Sequence, residues 1–198
     1  MCIRDSYKEA VAAVGWSSDF AKYTLCEAIS ANFKVVGTAP IVVINVLDPA
    51  NKKHITALDE TSVQVNDGVA EIDKVGILLE KLVVKKDTTT LTADVDYIAS
   101  FNDDGTVSLA LIIGGAGDGA TTLTVSGSIL DASKVTADDI VGGVNAATGA
   151  ETGLEVVRQV YPKLSKAPGI LLAPRFSKNA QVCAAMQAKC RKINGLFN

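Results

Sequence analysis

Hydrophobic and polar positions change their period twice along this chain. Ser6-Tyr-Lys-Glu9 carries the hydroxyl and carboxylate of a capping box, and Ala10 to Val14 continue a short amphipathic helix that Gly15 ends. Ser17, Ser18 and Asp19 offer a second N-cap, after which Phe20, Tyr23, Thr24, Glu27, Ala28 and Ala31 predict a helix running toward Phe33 and Gly37. Between Pro40 and Pro49, Ile41 to Val46 is apolar on both alternating faces, the pattern of a strand covered on both sides as in a parallel sheet.

From about Lys52 the period shortens to two. Thr61 to Val65, Leu82 to Val84, Tyr97 to Phe101, Val107 to Ile113 and Thr121 to Val125 are rich in β-branched and aromatic residues. Asn66-Asp-Gly68, Asn102-Asp-Asp-Gly105 and the run Gly114 to Gly119 separate them as turns. Such spacing predicts a small β-sandwich or barrel. The helical texture returns with Thr136-Ala-Asp-Asp139 as a cap, Gly142-Gly143 as a stop, and a helix from Thr152 or Gly153 through Tyr161 whose stripe is Leu154, Val157 and either Val160 or Tyr161. Pro168 and Pro174 bracket a predicted core strand, Ile170 to Ala173. Ser177 is expected to cap a last helix with Val182, Met186 and Ile193 on one face, and Leu196-Phe197 to begin a further strand. The expected organisation is an α/β region over 1–51, a β-sandwich over 52–129 and a second α/β part over 130–198, α+β overall.

Composition narrows the function classes. Apolar residues make up 48% and charged ones 21% of 198, which describes a chain with a covered interior. The apolar runs fall far short of the roughly 20 residues a membrane-spanning helix needs. A net charge of −3 with scattered lysines gives no phosphate-backbone footprint, so direct nucleic-acid binding is not expected. Cys2, Cys26, Cys183 and Cys190 lack metal or redox spacing and read as reduced, packed thiols. With no apolar leader after Met1, synthesis in a cytoplasm is the default expectation. Met1 to Ser6 resembles the translation of a transposase end sequence used in sequencing libraries, so these residues are expected not to be native.

No catalytic, cofactor-binding or metal site is assigned. His54 is the one histidine and lies in the loop Asn51-Lys-Lys-His54, where a solvated side chain is expected rather than a catalytic base. Ser177 follows the predicted strand like a nucleophile elbow, but Phe176 and Asn179 break the required glycine pattern. Gly114 to Gly119 leads into a strand and offers no helix N-terminus to a phosphate. Asp94, Asp96, Asp103 and Asp104 lack the calcium-loop spacing and are read as turn residues. Cys183 and Cys190 stand two helical turns apart, roughly 10 Å, too far to bridge.

The order of several segments carries a resemblance. Tyr23 to Ile29, Pro40 to Pro49, Asp96-Tyr97 with Phe101 to Gly105, Thr152 to Leu154 with Val160 to Pro162, Pro168 to Pro174 and Ile193 to Phe197 together resemble the tail sheath proteins of contractile-tailed bacteriophages and prophages. That resemblance covers nearly the whole chain after Ser6. It implies a β-sandwich followed by an incomplete α/β domain of subtilisin-like topology, where topology implies no protease activity. Three positions depart from the family pattern: Gly127 replaces an aromatic residue, Ala132 a proline, and Arg175 a glycine.

The resemblance implies a structural, non-enzymatic subunit needing no cofactor. Its partners would be other copies in a helical sheath, the tail tube and the baseplate, with assembly in the host cytoplasm and residence in the virion. It also implies that the family's N-terminal arm and C-terminal region are missing, so that the fragment would not assemble a sheath alone and the sheet edge beside Ile170 to Ala173 would be prone to association. Two alternatives from other classes are a serine hydrolase built on His54 and a carbohydrate-binding β module. The second lacks a stacking platform, since aromatic residues are 5% and Trp16 falls in a helical region.

Overall fold

A computed structural model describes residues 1–194 of the chain. It has mixed helices and antiparallel strands, an α+β architecture, divided into two compact units: Met1–Leu47 with Val135–Asn198, and Asp48–Lys134. Leu196-Phe197 and Gly195, the expected strand start and helix stop, lie outside the described residues.

The middle unit is one seven-stranded sheet: β3 (Ile55–Asn66), β4 (Val69–Ile72), β5 (Val83–Lys86), β6 (Thr89–Leu91), β7 (Tyr97–Phe101), β8 (Val107–Leu111) and β9 (Thr122–Leu130), with β1 (Cys2–Arg4) and β2 (Ile41–Val43) belonging to the other unit. Its order is β6-β5-β9-β3-β4-β8-β7. The long β3 joins the halves, pairing antiparallel with β9 along most of its length and with β4 at its end. A register shift between Leu58 and Thr61 bends it, as an inserted residue in a ladder does. Inward positions form one buried cluster that includes Leu58, Ile72, Val84, Tyr97, Val107, Leu109, Leu123 and Val125. Period-two alternation brings these side chains to one face, and their burial contributes about 1.5–3 kcal/mol each.

Turn chemistry sets the register. Asp67 and Gly68 both hold positive φ, 50° and 78°, which closes a tight β3–β4 hairpin. Gly105, at φ 87°, closes β7–β8, with Gly105 N–H donating to the Asn102 carbonyl. The Gly114 to Gly119 run does not close a hairpin. Strands β8 and β9 never pair, so this run carries the chain from one half of the sheet to the other.

In the other unit, β1 (Cys2–Arg4) and β2 (Ile41–Val43) form a two-stranded antiparallel ribbon. This corrects the expected parallel strand Ile41 to Val46: it is shorter, half-buried for most of its length, and its ladder partner is the segment read as non-native. Helix α1 (Tyr7–Val14) is capped by the Ser6 hydroxyl, which accepts the Glu9 N–H at 3.3 Å, while the Glu9 carboxylate reaches back to the Asp5 N–H. Asp19 caps only a turn. Helix α2 (Thr24–Ser30) starts after it, widens into a π-helical turn over Ala31–Val36 and stops at Gly37, φ 72°. Helix α3 (Ala137–Val141) has the expected Thr136–Asp139 capping box. Gly153–Gln159 is a 3-10 turn leading into α4 (Val160–Leu164), and it buries Leu154 and Val157 as expected.

Two expectations fail in this unit. Ile170 to Ala173 has no ladder partner and is irregular, with Ile170 80% and Leu172 63% exposed. Helix α5 (Ala180–Asn194) is capped by Asn179, whose Oδ1 accepts the Gln181 N–H at 2.9 Å, rather than by Ser177. Ser177 instead donates its N–H to the Ala173 carbonyl in the preceding turn.

Candidate functional site

His54 is not the solvated loop residue its lysine neighbours suggest. It is 1% exposed, at the end of the short turn Lys52–His54 that opens the middle unit. Its Nδ1 accepts the Asp48 N–H at 3.0 Å, and its carbonyl accepts the Asp131 N–H at 2.8 Å. The residue therefore ties the first turn of the unit through its ring and the last turn through its backbone carbonyl. A triad histidine carries its proton on Nδ1 and donates it to a carboxylate. Here Nδ1 is an acceptor, so the tautomer is opposite to the one that chemistry needs.

The aspartates act as turn anchors, one of them deep in the structure. Asp96, buried, accepts the Thr92 N–H and the Ala116 N–H, each at 2.8 Å. Those two backbone bonds, the Thr92 one first, hold its carboxyl below the usual aspartate range. Asp104 accepts from both the N–H and the hydroxyl of Thr106 and is likewise shifted down. Asp118 accepts the Gly114 N–H at 2.8 Å. The glycine-rich loop thus gives two of its amides to the chain's own carboxylates. No group of three or more metal-ligating side chains comes together among the described residues.

Of the cysteines, Cys26 is buried as expected, and burial pushes its thiol upward. Cys183 is exposed and Cys190 partly so, which corrects the packed reading for these two. All three are free thiols. Trp16 packs edge-on between Tyr7 and Phe20, with ring centroids 5.4 and 5.7 Å away, and Lys34 Nζ lies 4.0 Å from the Tyr7 ring centre. This cation–aromatic cluster went unread in the sequence because its members are far apart in the chain. It is a packing element of the helical unit.

Surface features are more prominent than pockets. In the helical unit, Val35, Val36, Ile170 and Leu172 are exposed, and beyond Glu155 the sequence has lysines and arginines but no acid. In the β unit, Val95, Ile98, Phe101 and Ile113 are exposed, and between Asp87 and Ser133 there are aspartates but no Lys or Arg. No helix among the described residues is long and apolar enough to cross a membrane.

The chain is 29% identical over 188 residues, 94% of its length, to the tail sheath protein of Burkholderia phage BcepMu. It spans 38% of the length of that curated relative. No family model matches the chain, and no solved structure matches it.

Proposed function

We propose that this chain is a segment of a structural subunit of a contractile phage, or phage-like, tail sheath. The observation that carries the reading is the relationship along 94% of the chain to part of a tail sheath protein. In this reading, copies stack around the tail tube above the baseplate, and the contacts are heterologous ones that generate a helical tube instead of a closed ring. Contraction is rigid-body repacking of subunits between two lattices, with no cofactor and no chemical step. The protein is not an enzyme, it resides in the virion, and it is assembled in the host cytoplasm.

Two finer points of architecture belong to the same proposal. The two halves of the curled sheet, which share β3 and one core, pack as a small sandwich over about 52–129. The flanking regions, about 1–51 and 130–198, belong to an α/β domain of subtilisin-like topology. The exposed apolar stretch Ile170 to Ala173 supports this, because a bare aliphatic run between two prolines suits a strand that further chain covers. The alternative of a serine hydrolase has no support in the position of His54.

Immunogold electron microscopy with antibodies raised against this chain tests the proposal on particles from cells carrying the gene. Label spaced along the length of contractile tails is expected. Label confined to heads, fibres or non-particulate material would overturn it.

A further inference from the structure

The edge of the β unit formed by β7 has properties that a protected edge lacks. Its hydrogen-bonding phase is fixed by two bonds at its ends: Asn102 N–H to the Thr106 carbonyl, 2.9 Å, and Ile112 N–H to the Asp96 carbonyl, 3.0 Å. Bonded and non-bonded pairs alternate in an antiparallel ladder, so Ile98 and Ser100 turn their backbone groups toward β8. Tyr97, Ala99 and Phe101 turn theirs outward. The Tyr97 carbonyl is taken by the Asp94 N–H at 2.8 Å. Tyr97 also bridges in parallel to Ala93, which occupies its N–H, so the outward groups left as a template for a further strand are both groups of Ala99 and of Phe101.

Natural edges are usually blunted by lysine, proline, a bulge or brevity. Strand β6, the other edge, is three residues long. Strand β7 has five residues and carries no lysine, proline or bulge, and its own chain covers it only at Tyr97, through the bridge to Ala93. On its outer face, register places Ile98 beside Ala110 and Ala110 beside Val69, so an apolar row crosses three strands. Ile98 is 52% and Val69 39% exposed. Acids stand at both ends of the edge, Asp94 before it and Asp103 and Asp104 after it, in a stretch with no base from Asp87 to Ser133.

We propose that the β7 edge is a docking site for an extended protein segment that is uncharged and β-branched or apolar in its middle and basic at both ends. Main-chain bonds to Ala99 and Phe101 supply the pairing, the row Ile98–Ala110–Val69 receives one set of alternate side chains, and Asp94, Asp103 and Asp104 select the basic flanks. A second β7 does not fit. Antiparallel self-pairing sets Asp94 of each copy beside Asp103 and Asp104 of the other, and parallel pairing aligns like with like. The proposal goes beyond the sheath reading and does not depend on it.

Fluorescence anisotropy on the whole chain tests it with two labelled peptides, each an alternating Val/Thr core, one with paired lysines at both ends and one with paired glutamates. The lysine-ended peptide is expected to bind about tenfold tighter at low salt and to lose that advantage as salt rises. Ala99→Pro deletes an outward N–H without removing a β7–β8 bond, so it is expected to abolish binding in a folded protein. Asp103→Lys, outside the ladder, is expected to shrink the preference between the peptides even if the proline variant does not fold. Equal binding of both peptides, binding of neither, undiminished binding by folded Ala99→Pro, or dimerisation through β7 in the absence of peptide would each overturn the proposal.

Discussion

Arg175 holds a left-handed backbone, φ 66°, while its Nε lies 3.4 Å from the Glu27 carboxylate. A non-glycine residue at that backbone angle carries a steric cost of about 1–2 kcal/mol. The ion pair offsets little of it, since both partners are about half exposed and such pairs are worth ~0–1 kcal/mol. Arg175→Ala removes the pair and keeps the strain. Arg175→Gly removes both, at the cost of added freedom in the unfolded chain. Urea denaturation is therefore expected to place the glycine variant about 1 kcal/mol above the alanine variant; equal stabilities would contradict the strained turn.

His54 gives a second prediction. Replacing it with Phe keeps the bulk of a buried ring and leaves the Asp48 N–H without its Nδ1 acceptor. Asp48 itself is exposed and the bond only partly buried, so water can take the lost acceptor's place and the cost is the net worth of an ordinary hydrogen bond, about 0.5–1.5 kcal/mol. Loss of that size is expected in the unfolding free energy, together with faster amide exchange at Asp48. A catalytic or purely solvated histidine would leave both unchanged.

How far the sequence could be read depended on whether each element's signal was local. Caps and turns are local, and Ser6, Thr136, Gly15, Gly37, Gly68 and Gly105 act where the residue chemistry places them. Strand β7 was legible to the residue because Tyr97 to Phe101 is bounded by turns on both sides. Strands β4 and β6 were not, because Val69-Ala-Glu-Ile72 and Thr89-Thr-Leu91 are four and three residues long, too short to show a period, and pairing to neighbours defines them. Ile170 to Ala173 shows the opposite error. Its aliphatic content reads as a strand, but a strand exists only where a ladder partner stands beside it. Asn179 outcompeted Ser177 as a cap through a choice between two good acceptors that no pattern rule ranks two residues apart. His54 was misplaced because burial of a histidine between Asp48 and Asp131 depends on contacts across the whole β unit.

The two bonds to Asp96 predict a pH response. Its carboxyl sits below the ordinary aspartate value of 3.8, through the Thr92 and then the Ala116 N–H bonds. A depressed folded-state value means that the stabilisation is complete above the unfolded-state value and is lost as pH falls through the folded one. Wild type is therefore expected to lose stability in acid below about pH 4, in the range set by the unfolded aspartate. Asp96→Asn should be less stable at neutral pH, and its gap to wild type should narrow on acidification. Asp94→Asn, which removes an exposed carboxyl, serves as the control.

Thiol reactivity separates the cysteines of the described residues. Cys183 is exposed, whereas Cys26 is buried with its thiol shifted up by burial. Burial disfavours the Cys26 thiolate and blocks access to it, while Cys183 is open to the reagent. With an aromatic disulfide reagent at pH 8, Cys183 is expected to react at least about tenfold faster than Cys26 in the folded chain, and the difference should vanish in denaturant. Comparable rates in the native protein would contradict the burial of Cys26.

Gly127 offers the sharpest test of the β unit, because backbone passes close over it. Register sets Gly127 opposite Leu58, at the end of the β3 bend, and the chain before β5 crosses directly over it. A Cβ built at Gly127 would lie 2.5 Å from the Lys81 carbonyl oxygen and 3.2 Å from the Leu82 Cα, both backbone atoms that cannot rotate aside. In this chain the close crossing occupies the space an aromatic ring would need. Gly127→Ala and Gly127→Tyr are therefore both expected to destabilise, by about 1–3 kcal/mol for the overpacking alone. Gly169→Ala, where nothing lies within 4 Å, should be nearly neutral by comparison. Chemical denaturation of the three variants checks this; a stabilising Gly127→Tyr would mean that the crossing over β9 is looser than the packing of Lys81 and Leu82 requires.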